Sequence, residues 1–405
     1  MATGRRQKII EFFGLQKSIV GVLLMVILVG VGERMAERFL PIYLMALGGG
    51  AMTIGLLAGI NNLISALYSF PGGYLADHLG HKKALLIFNG VALLGYAIVI
   101  IFPYWQAVII GAFFFLAWSA ISLPATMSLV ADVLPQNKRT MGVTMHSLVR
   151  RIPMALGPII GGVLIGIYGE INGVRLAFAG AFVLGVVAII LQQKMIPDAP
   201  GKQQAEKRPS RLWIHMTPPL RKLLVSDILI RFAEQIPYAF VVVWCMKHNG
   251  ISAAEFGLLT AIEMTTAALV YLPVAYLADR STKKPFVIIT FFNFTLFPLI
   301  LLFSHSFWMM VAAFIVRGLK EFGEPTRKAL IMDLAPEDKK AGMFGLYYLI
   351  RDVIVSVAAF GGAFLWQISP QVNFLVAFAC GLAGTIYFWI YGTDLKSPVK
   401  SNTDR

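Results

Sequence analysis

Runs of roughly 20 apolar residues recur from one end of the chain to the other, and this pattern removes most folds from consideration, because roughly 20 helical residues are what a bilayer core requires. About twelve runs can be traced, at residues 18–42, 53–76, 83–103, 106–131, 141–168, 174–193, 223–246, 254–278, 285–304, 306–331, 343–368 and 372–392. In lipid, every backbone amide must be satisfied within a helix or a closed barrel. Each run is far longer than a barrel strand, so the chain is predicted to be an all-α membrane protein. Composition agrees, with 58% hydrophobic and only 14% charged residues, where soluble domains carry about 25% charged. A water-soluble enzyme is thereby excluded. The two cysteines, Cys245 and Cys380, rule out a disulfide-stapled fold and read as small buried hydrophobes. Six scattered histidines carry no metal-site signal, and His146, alone in its span, reads as a packing group. No cofactor is expected.

The net charge of +14 follows topology. Lys82 and Lys83, Lys138 and Arg139, the 194–222 segment, Arg280 with Lys283 and Lys284, and Lys339 with Lys340 fall on alternate joints. The opposite joints are nearly bare, with Arg175 and Lys247 the exceptions. The positive-inside rule then predicts both termini in the cytoplasm, in an inner or plasma membrane. A nucleic-acid partner is not expected, since no segment outside the spans could gather these charges on one folded surface. The first run follows Arg5, Arg6 and Lys8 but lacks a small-residue cleavage site, so it is predicted to be a retained helix. Residues 194–222, with five prolines and seven Lys/Arg, read as a cytoplasmic linker between a bundle at 1–193 and another at 223–405. Around Leu212, Trp213 and Ile214 this linker could lie on the lipid surface.

The two halves echo each other. Pro71 to Lys83 contains Tyr74-Leu75-Ala76-Asp77, and Pro273 to Lys284 contains Tyr276-Leu277-Ala278-Asp279, with the aspartates 202 positions apart. Gly55-Leu56-Leu57 matches Gly257-Leu258-Leu259; Arg34-Met35-Ala36-Glu37 matches Arg231-Phe232-Ala233-Glu234; Asp132 to Pro135 matches Asp333 to Pro336. Echoes in one order at equivalent places indicate a duplicated six-helix unit. The joint Gly73-x-x-x-Asp77-x-x-Gly80-x-Lys82-Lys83 resembles the signature loop of the major facilitator superfamily, with its degenerate copy at Asp279. Gly157-Pro158-Ile159-Ile160-Gly161-Gly162 is similar to the fifth-helix motif of that superfamily's drug:proton antiporters. It departs from that motif at Pro153, where the family has glycine, and residues 107–131 hold no Lys or Arg where the antiporters have arginine. The resemblance implies twelve helices in two pseudo-symmetric six-helix bundles, a small-molecule substrate, and a central cavity lined by helices 1, 4, 7 and 10. A monomer is expected. Gating is expected to involve Gly73, Asp77, Gly80, Lys82, Lys83, Asp132, Gly157, Pro158, Gly161, Gly162 and Asp279. In physical terms, Asp77 can accept hydrogen bonds from a neighbouring helix, Gly80 lets the short loop turn, and Pro158 permits bending.

Ionisable residues at membrane depth are the most informative feature. They are Glu33, Arg34, Glu37 and Arg38 in span one, Asp227, Arg231 and Glu234 in span seven, and Glu263 in span eight. Span ten adds Arg317, Lys320, Glu321 and Glu324, and span eleven Arg351 and Asp352. A lipid-facing central charge costs roughly 2.5–3.5 kcal/mol, so these side chains are predicted to face protein or water. Arg317, Glu321, Glu324 and Lys328 are spaced to form one stripe on one helix, as are Asp227, Arg231 and Glu234. Substrate and coupling protons are expected at Arg34, Glu37, Arg231, Glu234, Glu263, Arg317, Glu321, Glu324, Arg351 and Asp352. Glu37 and Glu234 stand at equivalent places, each with an arginine one turn earlier, and protonation is expected at one or more of Glu37, Glu234, Glu263 and Glu321. Proton-coupled efflux of a charged or amphipathic solute is the expected activity. An import alternative rests on Glu33 to Phe39, which is similar to the Glu-x-x-Glu-Arg-Phe motif of proton-coupled peptide transporters, with its first carboxylate one residue early. A channel or a membrane-embedded enzyme would need a filter sequence or a catalytic constellation, and neither is evident.

Overall fold

The computed structural model describes residues 17–116, 149–196, 213–278, 282–336 and 340–393, and among these residues it is helical with no strand. In chain order the helices are α1 (Lys17–Glu37), α2 (Leu40–Ala46), α3 (Ala51–Leu79), α4 (His81–Ile101), α5 (Trp105–Phe115) and α6 (Arg151–Met195). There follow α7 (Pro218–Tyr238), α8 (Val241–Val243, continuing as a π turn to His248), α9 (Ala253–Ala278), α10 (Lys284–Leu302) and α11 (Phe307–Leu319). The last are α12 (Glu324–Leu334), α13 (Lys340–Ile368) and α14 (Pro370–Tyr391). Their starts follow local rules. Ser252 and Glu255 form a capping box at α9, with the Ser252 amide donating to Glu255 Oε2 at 2.8 Å. Ser306 and Ser369 cap α11 and α14, and Pro370 follows the second of these caps.

Helices and apolar runs do not correspond one to one, and proline chemistry accounts for the difference. The first run breaks after Glu37, where Pro41 in the first turn of α2 lacks the amide that would have bonded to the Glu37 carbonyl. The seventh bends by 41° between Tyr238 and Val241, just after Pro237. The tenth stops at Leu319 and resumes at Glu324, because Pro325 cannot donate to the Glu321 carbonyl and disfavours helical backbone at Glu324. In the opposite sense, the fifth and sixth runs are joined as α6, which turns at Gly169, the left-handed φ of +78° marking the joint.

Two compact units emerge, one of Met1–Lys207 with Ala239–Ala261 and one of Arg208–Tyr238 with Ile262–Arg405. In the first, α1 lies along α6, with glycines admitting close approach: Gly30 abuts Pro153, Gly32 abuts Ala181 and Gly157 abuts Arg34. Its core stacks Tyr96, Phe115 and Phe178 with ring centroids 5.4–5.8 Å apart. Buried Asn89 donates to Gln192 at 2.7 Å, and Gln192 donates to the Lys82 carbonyl at 2.8 Å, which satisfies polar groups inside an apolar unit. The two positive charges on the otherwise bare joints are engaged here: Arg175 donates to the Ile100 carbonyl at 2.7 Å, and Lys247 pairs with Glu170 at 2.6 Å. In the second unit, Leu220, Phe291, Leu330, Tyr347 and Phe388 pack α7, α10, α12, α13 and α14 together. Large apolar side chains on the outside, among them Leu269, Trp308, Val357 and Trp389, are exposed. Among the described residues, six helices are long and apolar enough to cross a membrane, or seven counting the bent pair at Tyr238.

Candidate functional site

Ten charged side chains of the second unit form one chain. Asp352 meets Arg351 at 2.7 Å, and Arg351 meets Asp227 at 3.4 Å. Asp227 pairs with Arg327, which meets Glu324 at 2.7 Å. Glu324 lies 3.8 Å from Arg231, which holds Glu234 at 2.6 Å. Glu234 accepts from Lys320 at 2.7 Å; Lys320 lies 3.5 Å from Glu263, and Glu263 lies 3.3 Å from Arg317. Ten side chains from α7, α9, α11 to α13 and the α11–α12 break thus alternate strictly in sign. Most are buried, with Asp227 and Glu263 at 0% exposure. Alternation is what burial demands, since an isolated charge at this depth is costly and a partnered one is offset by Coulomb attraction in a low dielectric. Tyr347 donates to Asp227 Oδ2 at 3.0 Å, while Asp227 Oδ1 has no hydrogen-bond partner. Arg317 is packed over Phe297 at 4.9 Å and Arg351 over Tyr348 at 4.2 Å, cation–π contacts that further offset desolvation.

The break in the tenth run shapes this chain. The expectation of one stripe through Arg317, Glu321, Glu324 and Lys328 does not hold, because residues 320–323 form a turn and the two halves are separate helices. Gly323 sits against the backbone of Phe286, where a side chain would collide, and its amide donates to Thr290. The turn carries Lys320 and Glu321, and Lys320 reaches both Glu234 and Glu263 from it. Arg317 and Glu324 still join the chain, from different helices, while Lys328 is exposed and 3.5 Å from Glu324.

In the first unit, Arg34 pairs with Glu37 at i,i+3, the same spacing as Arg231 with Glu234. Glu33 is buried beside them. Span five reaches this turn through its glycines: a side chain at Gly161 would fall on the Met35 carbonyl, and one at Gly157 on Arg34. Gly162 abuts the backbone of Ala253, and Pro158 abuts Gly257. Gly80 separates α3 from α4 at φ +80°, and Lys82 and Lys83 lie in the first turn of α4. Gly73 and Asp77 lie within α3, and their surroundings are outside the described side chains. Asp132, His146 and Asp279 lie outside the described residues.

Residue spacing alone passed over Arg327 and Tyr347. Arg327 sits near the C-terminal end of its run and reads as one more topological positive, yet it is 1% exposed. Glu324-Pro325-Thr326-Arg327 held the available signal, an acid and a base three apart immediately after a helix break.

Helices that are long and apolar enough to cross a membrane, with a buried, internally paired charge network among the described residues, have the make-up of an integral membrane transporter. The chain matches the Major Facilitator Superfamily model over residues 22–231 and 223–405, and it belongs to that superfamily. Among its relatives, an MFS-type transporter of Methanocaldococcus jannaschii is 20% identical over 85% of this chain and 87% of that protein. A second from the same organism is 23% identical over 84% and 89%. The human Hippocampus abundant transcript 1 protein is 26% identical over 73% of this chain and 62% of its own length. The nucleoside transporter NupG has the same fold, with a TM-score of 0.78 at 14% identity over 93% of this chain and all of that one. A peptide transporter POT solved with sulfate is similar, with a TM-score of 0.77 at 14% identity over 93% and 94%. The family and the structural neighbours are transporters, not enzymes.

Proposed function

We propose that the protein exports a small charged or amphipathic solute by alternating access in exchange for protons, as a monomer with both termini in the cytoplasm. The observation that carries this reading is the alternating charge chain of the second unit. Asp227, Glu234 and Glu263 are each shared between two cations, and Glu324 between three. Protonating any one of them releases its cationic partners to neighbouring acids, so a proton bound at one point re-pairs groups on several helices. A device with discrete pairings is what coupling requires. The equivalent Arg34–Glu37 pair gives the first unit a protonatable group of the same design. Export is supported by the resemblance of Gly157 to Gly162 to the antiporter motif, and by the backbone contacts those glycines make with the Arg34 turn.

A second reading, proton-coupled import, is favoured by Glu33 to Phe39, which is similar to the peptide-transporter motif and whose Arg34 and Glu37 are paired. The deciding experiment is transport by proteoliposomes under an imposed pH gradient, with Glu37, Glu234, Glu263 and Glu321 changed singly to glutamine. Gradient-driven transport should fall at least tenfold in one or more variants while gradient-independent counterflow of labelled solute persists. Unchanged gradient dependence in all four overturns proton coupling, and the direction of solute accumulation decides between export and import.

A further inference from the structure

The start of α7 carries a patch that the charge chain does not use. From Lys207 to Ser226 the sequence has five Lys/Arg and no Asp or Glu. Arg221 and Lys222, in the first two turns of α7, are exposed. Their charges meet rings instead of carboxylates: Arg221 lies over Trp213 at 5.6 Å and Lys222 over Tyr391 at 5.8 Å, and neither has an ion pair among the described residues. Tyr391 packs in turn on Tyr387, with ring centroids 5.0 Å apart. The turn that holds Trp213 is fixed from its inner side. Met216 and Leu220 are buried in the core of the second unit, and the Thr217 hydroxyl donates to the Leu334 carbonyl at 2.8 Å. The acid next to that carbonyl, Asp333, is already taken by Lys283. With Met216 committed to the core, Trp213 and Ile214 stay outside, Ile214 at 75% exposure.

Adjacent cations seated on aromatic rings, with an exposed aliphatic side chain beside them, match the boundary of a bilayer, where indole and phenol rings sit at headgroup level and cations meet phosphate. We propose that this patch is a binding site for an acidic phospholipid: Arg221 and Lys222 hold its phosphate, Trp213 and Tyr391 flank the headgroup, and Ile214 lies against the acyl chains. Guanidinium bonds two phosphate oxygens as a planar fork, and the ring against it restricts that plane. A zwitterionic lipid brings its own ammonium group to its phosphate, so two cations without carboxylate partners favour a lipid of net negative charge. A free phosphate ester would supply the same oxyanion but leave Trp213 and Ile214 in water, which makes the lipid the fitting occupant. No member of the charge chain takes part, so the site stands whatever the cargo or the coupling ion.

The test titrates the purified full-length protein in detergent with dioleoyl phosphatidylglycerol and, separately, dioleoyl phosphatidylcholine, which share acyl chains and differ in net charge. Retained lipid is counted by native mass spectrometry, and affinity is read from the lipid-dependent rise in unfolding temperature. Phosphatidylglycerol should bind at least about tenfold more tightly, since each cation at a membrane surface contributes a factor of about five. Arg221→Gln combined with Lys222→Gln should remove that preference, Arg221→Lys should retain most of it, and Trp213→Ala should weaken phosphatidylglycerol binding a few-fold. Lys247→Gln, at a cation already held by Glu170, should leave the preference unchanged. Equal affinity for the two lipids, binding of neither, a preference that survives the double variant, or one lost equally in Lys247→Gln overturns the proposal. Glycerol phosphate, which lacks acyl chains, should not displace the lipid at matched concentration. Displacement at equal strength would make a soluble phosphate ester the occupant and overturn the lipid assignment.

Discussion

At the residue scale, Asp227 and Arg327 anchor the buried chain. Removing one member of a buried pair strands the other in a low dielectric, a loss of about 3–5 kcal/mol, whereas replacing both costs far less. Asp227→Ala and Arg327→Ala should therefore each lower stability to chemical denaturation by about that amount in detergent, and a double variant Asp227→Asn, Arg327→Met should recover a large part of it. Additive losses would mean the two side chains do not act as a pair. The aspartate is visible in sequence as a charge within an apolar run, but its partner is not. Arg327 follows Asp227 by a hundred residues, and local spacing carries no trace of a contact made by tertiary packing. Arg34 with Glu37 and Arg231 with Glu234 were legible for the opposite reason, since both members lie one turn apart on the same helix.

At the element scale, the positions of the helices follow from apolar run length, while their interruptions follow from single prolines. Pro325 is the informative case: with Gly323 packed on the Phe286 backbone, it turns what reads as one striped helix into two and swings Lys320 towards Glu234 and Glu263. Pro325→Ala restores the amide that a continuous helix needs. It should lower the transport rate at least several-fold with little loss of thermal stability, and a fully active variant would show that the break is not used. Glycine motifs were legible as positions without their contacts. Gly161→Ala places a methyl on the Met35 carbonyl and should cost about 1–3 kcal/mol. Gly166→Ala, five residues on, where nothing lies within 4 Å, should be neutral or slightly stabilising. Equal effects of the two, measured by thermal unfolding, would contradict the close packing of α6 on the Arg34 turn.

At the scale of the whole molecule, charge separates into positives on alternate joints and a mixed-sign set inside the spans. Alternate joints hold most of the positives, and the two exceptions are tied down, Arg175 on a backbone carbonyl and Lys247 on Glu170. Neutralising Arg175 and Lys247 should leave insertion unchanged, and reporter fusions at both termini should read cytoplasmic before and after; a periplasmic or extracellular terminus would refute the orientation. The part to which we assign coupling is the mixed-sign set inside the spans, whose presence is plain from composition and hydropathy but whose order along one chain requires the fold. Proton uptake tests its role most directly. Proteoliposomes carrying a pH-sensitive dye inside, and challenged with a transported solute at zero membrane potential, should show solute-dependent proton movement in the native protein and less than about a tenth of it after Glu234→Gln or Glu263→Gln. Proton movement at the native rate in both of these variants, with the solute still transported, would contradict the assignment of coupling to the buried charge chain.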